Sequence, residues 1–117
     1  MYRAPSFLMS PLEIVIEKRD GQTRMALVGE LDIASAPRFE EGLAEVERDT
    51  PGMLVVDLRR VDFIDSTGLR AVIGADERGR AAGRRFVIIR GPAAVERVFS
   101  VTQLDQRLEI VDDPESV

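Results

Sequence analysis

The chain contains no cysteine and no histidine. Without cysteine there are no disulfides and no thiolate chemistry, which suits a reducing compartment such as the cytoplasm. Without histidine, the commonest general base and the commonest transition-metal ligand are both missing. Lys18 is the only lysine, so the basic character rests almost wholly on arginine. The guanidinium fork suits carboxylates and phosphates on a partner. No apolar run reaches the length of a membrane span. The N-terminus carries neither the h-region nor the cleavage site of a secretory signal. The net charge of −5 argues against a dedicated nucleic-acid binder, which presents a basic surface.

What is present describes one soluble α/β domain. At 117 residues, 44% hydrophobic and 32% charged, the chain supports a single core but not a large catalytic cleft. Residues 1–10 show no period and are expected to be a loosely held arm. Residues 11–112 form the domain, and 113–117 an acidic tail. Leu12 to Glu17 alternates as a strand does, Asp20-Gly21 is a hairpin signal, and Arg24 to Val28 returns antiparallel. Ser35 or Ala36 caps the next helix, with Pro37 in its first turn. Ala36, Phe39, Leu43 and Val46 form its buried stripe. Leu54-Val55-Val56-Asp57-Leu58 is a central strand, and Leu69 to Ala82 a helix stopped by Gly83. Phe86 to Ile89 is a strand, Gly91-Pro92 opens a third helix with Val95, Val98 and Phe99 inward, and Leu108 to Val111 closes the domain. The order β-β-α-β-α-β-α-β predicts a mixed, mostly parallel sheet of four to five strands. An N-terminal antiparallel hairpin opens it, and helices pack on it.

The most informative segment is Asp65-Ser66-Thr67-Gly68, lying between a strand and a helix start. A serine there has a structural role as an N-cap. It also sits where unpaired N–H groups and the macrodipole favour negative charge, so a phosphate is tolerated and can act as a switch. The two roles are compatible. Asp65 next door repels such a phosphate, which predicts a switch in partner binding rather than in folding. Asp32 follows one strand as Asp65 follows the next, so a parallel sheet brings Asp32, Asp65 and Ser66 to one edge. Asp57 and Asp62 complete a set of acids near strand ends. Their spacing is no metal signature, and no metal is expected. Ser66 has no histidine to activate it, there is no nucleophile elbow, and no lysine follows the glycines as in a P-loop. No enzymatic activity and no cofactor are expected. The crowd of Arg78, Arg80, Arg84 and Arg85 reads most simply as a solvated helix face.

Gly29-Glu30-Leu31-Asp32, the strand Leu54 to Leu58, the run Phe63-Ile64-Asp65-Ser66-Thr67-Gly68-Leu69 and Gly91-Pro92-Ala93-Ala94-Val95 follow one another in an order that resembles bacterial anti-anti-sigma factors. These are single STAS domains, and the likeness spans about residues 12 to 111. The resemblance implies a partner-switching, stress-response mechanism. The unmodified protein binds an anti-sigma factor that is also a serine kinase, and a sigma factor is freed. Phosphorylation of Ser66 ends the binding, and a serine phosphatase resets it. ATP and Mg²⁺ come with the kinase. By the same resemblance Asp32 and Asp65 lie beside the phosphoacceptor. Thr67 is not the usual acceptor, and Gly68, Leu69 and Arg70 open the recognition helix. Arg70 departs from the small residue, often glycine, of many relatives, and Asp76-Glu77 with Gly79 interrupts a helix that is often more basic or apolar. A monomer or weak dimer is implied. Two other readings stay open: a non-switching STAS scaffold or accessory subunit of a signalling or lipid-transport complex, and a small ligand-binding protein using the acidic cluster.

Overall fold

The computed structural model describes residues 12–49 and 52–116, so the expected arm at 1–10 lies outside the described residues. Five strands form one sheet in the order β1-β2-β3-β4-β5: β1 Glu13–Arg19, β2 Gln22–Leu31, β3 Met53–Ile64, β4 Arg85–Ile89 and β5 Glu109–Val111. β1 and β2 pair antiparallel across the Asp20-Gly21 turn, and every other pairing is parallel. The helices α1 Ala36–Arg48, α2 Ser66–Ala82 and α3 Ala93–Val101 supply the connections that parallel neighbours need. No described helix is long and apolar enough to cross a membrane.

All three helices pack on the same face. Phe39, Leu43 and Val46 of α1, Leu69 and Val72 of α2, and Val95 and Phe99 of α3 share one core with Met25, Leu54, Val56, Leu58, Phe86 and Ile88. One residue out of phase along the strands, Val55, Val87 and Ile89 form a second cluster on the opposite face. The pleat, which turns successive side chains to opposite faces, separates the two sets. Of the two arrangements that an apolar central strand permits, this is the one with strands on each edge and helices on one side.

Several boundaries differ from those the residues predict. β3 runs six residues beyond Leu58, through Arg59, Arg60 and Asp62. Its pairing with β2 continues across two register shifts and ends at Leu31↔Ile64, so backbone bonding prolongs a strand whose side chains have turned polar. Helix α2 begins at Ser66 rather than Leu69. Gly83 follows it in the left-handed conformation (φ 71°), donating back to the carbonyls of Arg80 and Gly79, the geometry glycine adopts without a Cβ penalty. The acidic tail includes a short 3₁₀ turn, Pro114–Ser116.

Candidate functional site

The parallel pairing of β2 with β3 sets the C-terminal ends of these strands side by side. The links to α1 and α2 leave from that edge, and their polar groups are bonded to one another. Asp32 Oδ1 accepts from the backbone N–H groups of Ala34 (3.0 Å) and Ser35 (3.1 Å), which turns the chain towards α1. The fully buried Ser35 stands at the cap position of α1, as expected, but its hydroxyl does not cap the helix. Instead it donates to the Glu30 carbonyl (2.7 Å) and accepts from the Asp32 N–H (2.9 Å), locking the turn to the end of β2.

Asp65 is the hub. One carboxylate oxygen accepts from Thr67 N–H (2.9 Å) and Gly68 N–H (3.0 Å), capping α2. The other oxygen reaches across to the neighbouring link and accepts from Ile33 N–H (3.0 Å). The Asp65 N–H in turn donates to the Leu31 carbonyl (3.2 Å). One side chain thus ties the start of α2 to the end of β2. Gly68 makes that approach possible: a Cβ built there would lie 2.5 Å from the Leu31 carbonyl oxygen and 2.8 Å from its Cγ. No side chain fits there without moving the helix.

Two expectations are corrected by this geometry. Ser66 is not the cap. Asp65 has the extended conformation (φ −111°, ψ −175°) that a cap requires, and Ser66 is the first helical residue. Nor does the helix end offer a vacant anion cradle, because the Asp65 carboxylate already occupies the N–H groups of Thr67 and Gly68. Ser66 is consequently exposed. Its hydroxyl forms no hydrogen bond among the described residues. A group attached to it projects into solvent beside a carboxylate.

Of the remaining candidates, Asp32 and Thr67 are half-buried, Arg70 is exposed one turn along α2, and Gly68 and Leu69 are buried. Gly68 and Leu69 therefore set the pose of the helix and offer little surface. Asp57 does not belong to this edge. It lies within β3, opposite Ile89, and its carboxylate accepts from the Arg59 guanidinium (2.7 and 3.0 Å) and backbone N–H (3.0 Å). Burial alone would raise the Asp57 carboxyl, but these donors outweigh it and hold it below the ordinary value. Among the described residues no group of three or more acids converges as metal ligands do. Most of the arginine crowd is paired: Arg78 with Glu47, Arg80 with Asp76 and Arg85 with Glu109.

Two residues at this edge escaped the sequence reading. Ile33 is 73% exposed and Phe63 49% exposed. Phe63 pairs with Glu30 across the sheet, while the next residue, Ile64, turns inward to the core. Alternation along β3 was the available signal, but it was obscured by the register shift just before Phe63.

A family model described as "Mlab, STAS domain" matches residues 14–112. The chain belongs to the STAS-domain family, and its fold is that of such a domain. An anti-sigma-B factor antagonist of Listeria monocytogenes is 30% identical over 100 residues, covering 85% of this chain and 88% of its own. The crystal structure of an anti-sigma factor antagonist from Mycobacterium paratuberculosis superposes with a TM-score of 0.83 at 26% identity, covering 92% of this chain and 93% of that one. The Bacillus cell fate determinant SpoIIAA in its phosphorylated form shares the fold, with a TM-score of 0.69 at 18% identity over 89% of this chain and 96% of its own. The first two relatives are named for a regulatory role rather than for a reaction.

Proposed function

We propose that this chain is an anti-sigma factor antagonist whose binding is controlled at Ser66. Unphosphorylated, it engages an anti-sigma factor with serine-kinase activity through the edge formed by the β2–α1 and β3–α2 links, and a sigma factor is released. The kinase brings ATP and Mg²⁺ and transfers a phosphoryl group to Ser66. The complex then dissociates until a serine phosphatase restores the hydroxyl. The cytoplasm is the compartment for this cycle, and the acting species is a monomer or weak dimer.

The observation that carries the reading is the division of labour between Asp65 and Ser66. Asp65 performs the capping, so the exposed Ser66 hydroxyl can be modified with no structural bond to lose. A phosphate there adds about 1.5 to 2 negative charges beside the Asp65 carboxylate. In solvent that is cheap. In a closed interface it is opposed by desolvation and by every acidic group nearby, a cost of several kcal/mol that falls on binding rather than on folding. The relatives named as anti-sigma factor antagonists support the same role. The direct test incubates the purified chain with the purified anti-sigma kinase and ATP–Mg²⁺. Wild type and Thr67→Ala should take up phosphate and Ser66→Ala should not. Phosphate uptake by Ser66→Ala contradicts the assignment.

The family match is to the STAS domain as such, and a second reading fits it equally: a STAS accessory subunit of a signalling or lipid-transport complex that never switches. A chain that stays unphosphorylated with its purified kinase, and whose Ser66→Asp variant binds as wild type does, is the outcome this reading requires.

A further inference from the structure

Only five large hydrophobic side chains are exposed among the described residues, and two of them, Ile33 and Phe63, stand at the Ser66 edge. Each is held by the same bonds that shape the site. The backbone N–H of Ile33 donates to Asp65 Oδ2, and Phe63 is fixed by its register opposite Glu30, three residues before Ser66. Backbone so constrained loses little entropy when a partner closes over it. Their surroundings are charged: Glu30 and Asp62 are exposed, and neither carboxylate has a partner among the described residues, while Arg60 and Arg70 are exposed on the same β3 and α2. Apolar anchors inside a charged rim are the pattern of a protein interface. The anionic surface of a bacterial membrane would be repelled by the carboxylates of that rim.

We infer that Ile33 and Phe63 are the affinity anchors of the partner surface, inserting into apolar pockets beside the nucleotide site of the anti-sigma kinase, whose rim is basic. This rests on the reading of Ser66 as the kinase's target, since only a partner whose nucleotide lies over Ser66 must also cover this edge. Affinity and control are then carried by different residues. The anchors are neutral and unchanged by phosphorylation, while Ser66 supplies the charge that opens the interface.

The test measures binding of the purified anti-sigma kinase to wild type, Ile33→Ala, Phe63→Ala, Ser66→Asp and Val101→Ala by calorimetry. Val101, 75% exposed, is a control at the C-terminal end of α3. Phe63→Ala should weaken binding about 10- to 100-fold and Ile33→Ala about 10-fold. Val101→Ala should match wild type, and all melting temperatures should stay close to wild type. In phosphorylation kinetics the anchor variants should raise KM and leave kcat unchanged. Anchor variants within about twofold of wild type, while Ser66→Asp loses binding, overturn the anchors and spare the switch. Anchor variants that weaken binding while Ser66→Asp does not keep the anchors and overturn the switch. A second arm adds vesicles of phosphatidylglycerol and phosphatidylethanolamine. Wild type should not bind them, and binding abolished by Phe63→Ala would make the surface a membrane contact and refute the inference.

Discussion

Replacing Asp65 by alanine removes three hydrogen bonds to backbone donors on two elements. Losing an acidic N-cap costs about 1 kcal/mol and up to about 2. The favourable placement of a negative charge at the helix start adds about 0.3 to 1 kcal/mol. The bond from Ile33 N–H, made to a charged acceptor at an exposed position, contributes roughly 1 kcal/mol. The sum is about 2 to 4 kcal/mol. For 117 residues the unfolding entropy is about 0.25 kcal/mol per degree. The expected fall in melting temperature is therefore about 8 to 16 °C, read by circular dichroism and checked against urea unfolding. Asp65→Asn separates the contributions. Its amide oxygen can still cap α2, but its NH₂ group must then face the Ile33 N–H, placing donor against donor. That variant loses the charge and the Ile33 bond together and should cost about 1 to 2 kcal/mol, roughly 4 to 8 °C, with faster amide exchange concentrated at Ile33. If Asp65→Ala lies within about 0.5 kcal/mol of wild type, the carboxylate does not hold the two links together and the reasoning fails. If Asp65→Asn costs as much as Asp65→Ala, the capping bonds to Thr67 and Gly68 that Asn can keep contribute nothing.

Gly68→Ala must push a Cβ into the Leu31 carbonyl and should cost at least about 2 kcal/mol. Gly74→Ala, six residues along the same helix, meets only the guanidinium end of Arg78, at 3.1 Å, and should be neutral or stabilising by up to about 1 kcal/mol; equal urea midpoints for the two variants would contradict this. Asp57, held below the ordinary carboxyl value despite its burial, contributes stability that is complete above the unfolded value near 4 and is lost as pH falls through the lower folded value. Asp57→Asn should therefore flatten the decline in stability below about pH 4, and parallel decline in variant and wild type counts against the pairing with Arg59. Arg70, exposed and one turn beyond Ser66 on α2, faces it at the favourable i,i+4 spacing. Phosphoserine 66 should therefore titrate at lower pH in wild type than in Arg70→Ala when followed by phosphorus NMR, and coincident curves would remove Arg70 from the site.

The elements legible in the sequence are those where one local force dominates. The stripe Ala36, Phe39, Leu43 and Val46 is buried throughout, because a helix against a sheet needs only one apolar face. Gly83 stops α2 as glycine does. The end of β3 was not legible: Arg59, Arg60 and Asp62 resemble a link by composition, while pairing with β2, a long-range interaction, keeps them in the strand. The cap of α2 was ambiguous for another reason. Aspartate and serine are comparable caps, and two adjacent ones cannot be ranked without the position of the Leu31 carbonyl and the Ile33 N–H that select Asp65. Asp57 was misplaced among strand-end acids because its partner Arg59 follows in the strand that composition had ended. Nothing local marks Ile33 and Phe63 as surface residues, because isolated apolar residues in a link or a strand end are ordinarily core.

The most direct measurement of the switch is the affinity of the purified anti-sigma kinase for the unphosphorylated chain and for the chain carrying phosphate on Ser66, taken side by side at physiological ionic strength. Charge placed in a closed interface predicts a loss of at least about 100-fold on phosphorylation, with the melting temperature of the free chain essentially unchanged. Equal affinities for the two forms, or a phosphorylated chain that has lost its fold, would contradict control of binding at Ser66.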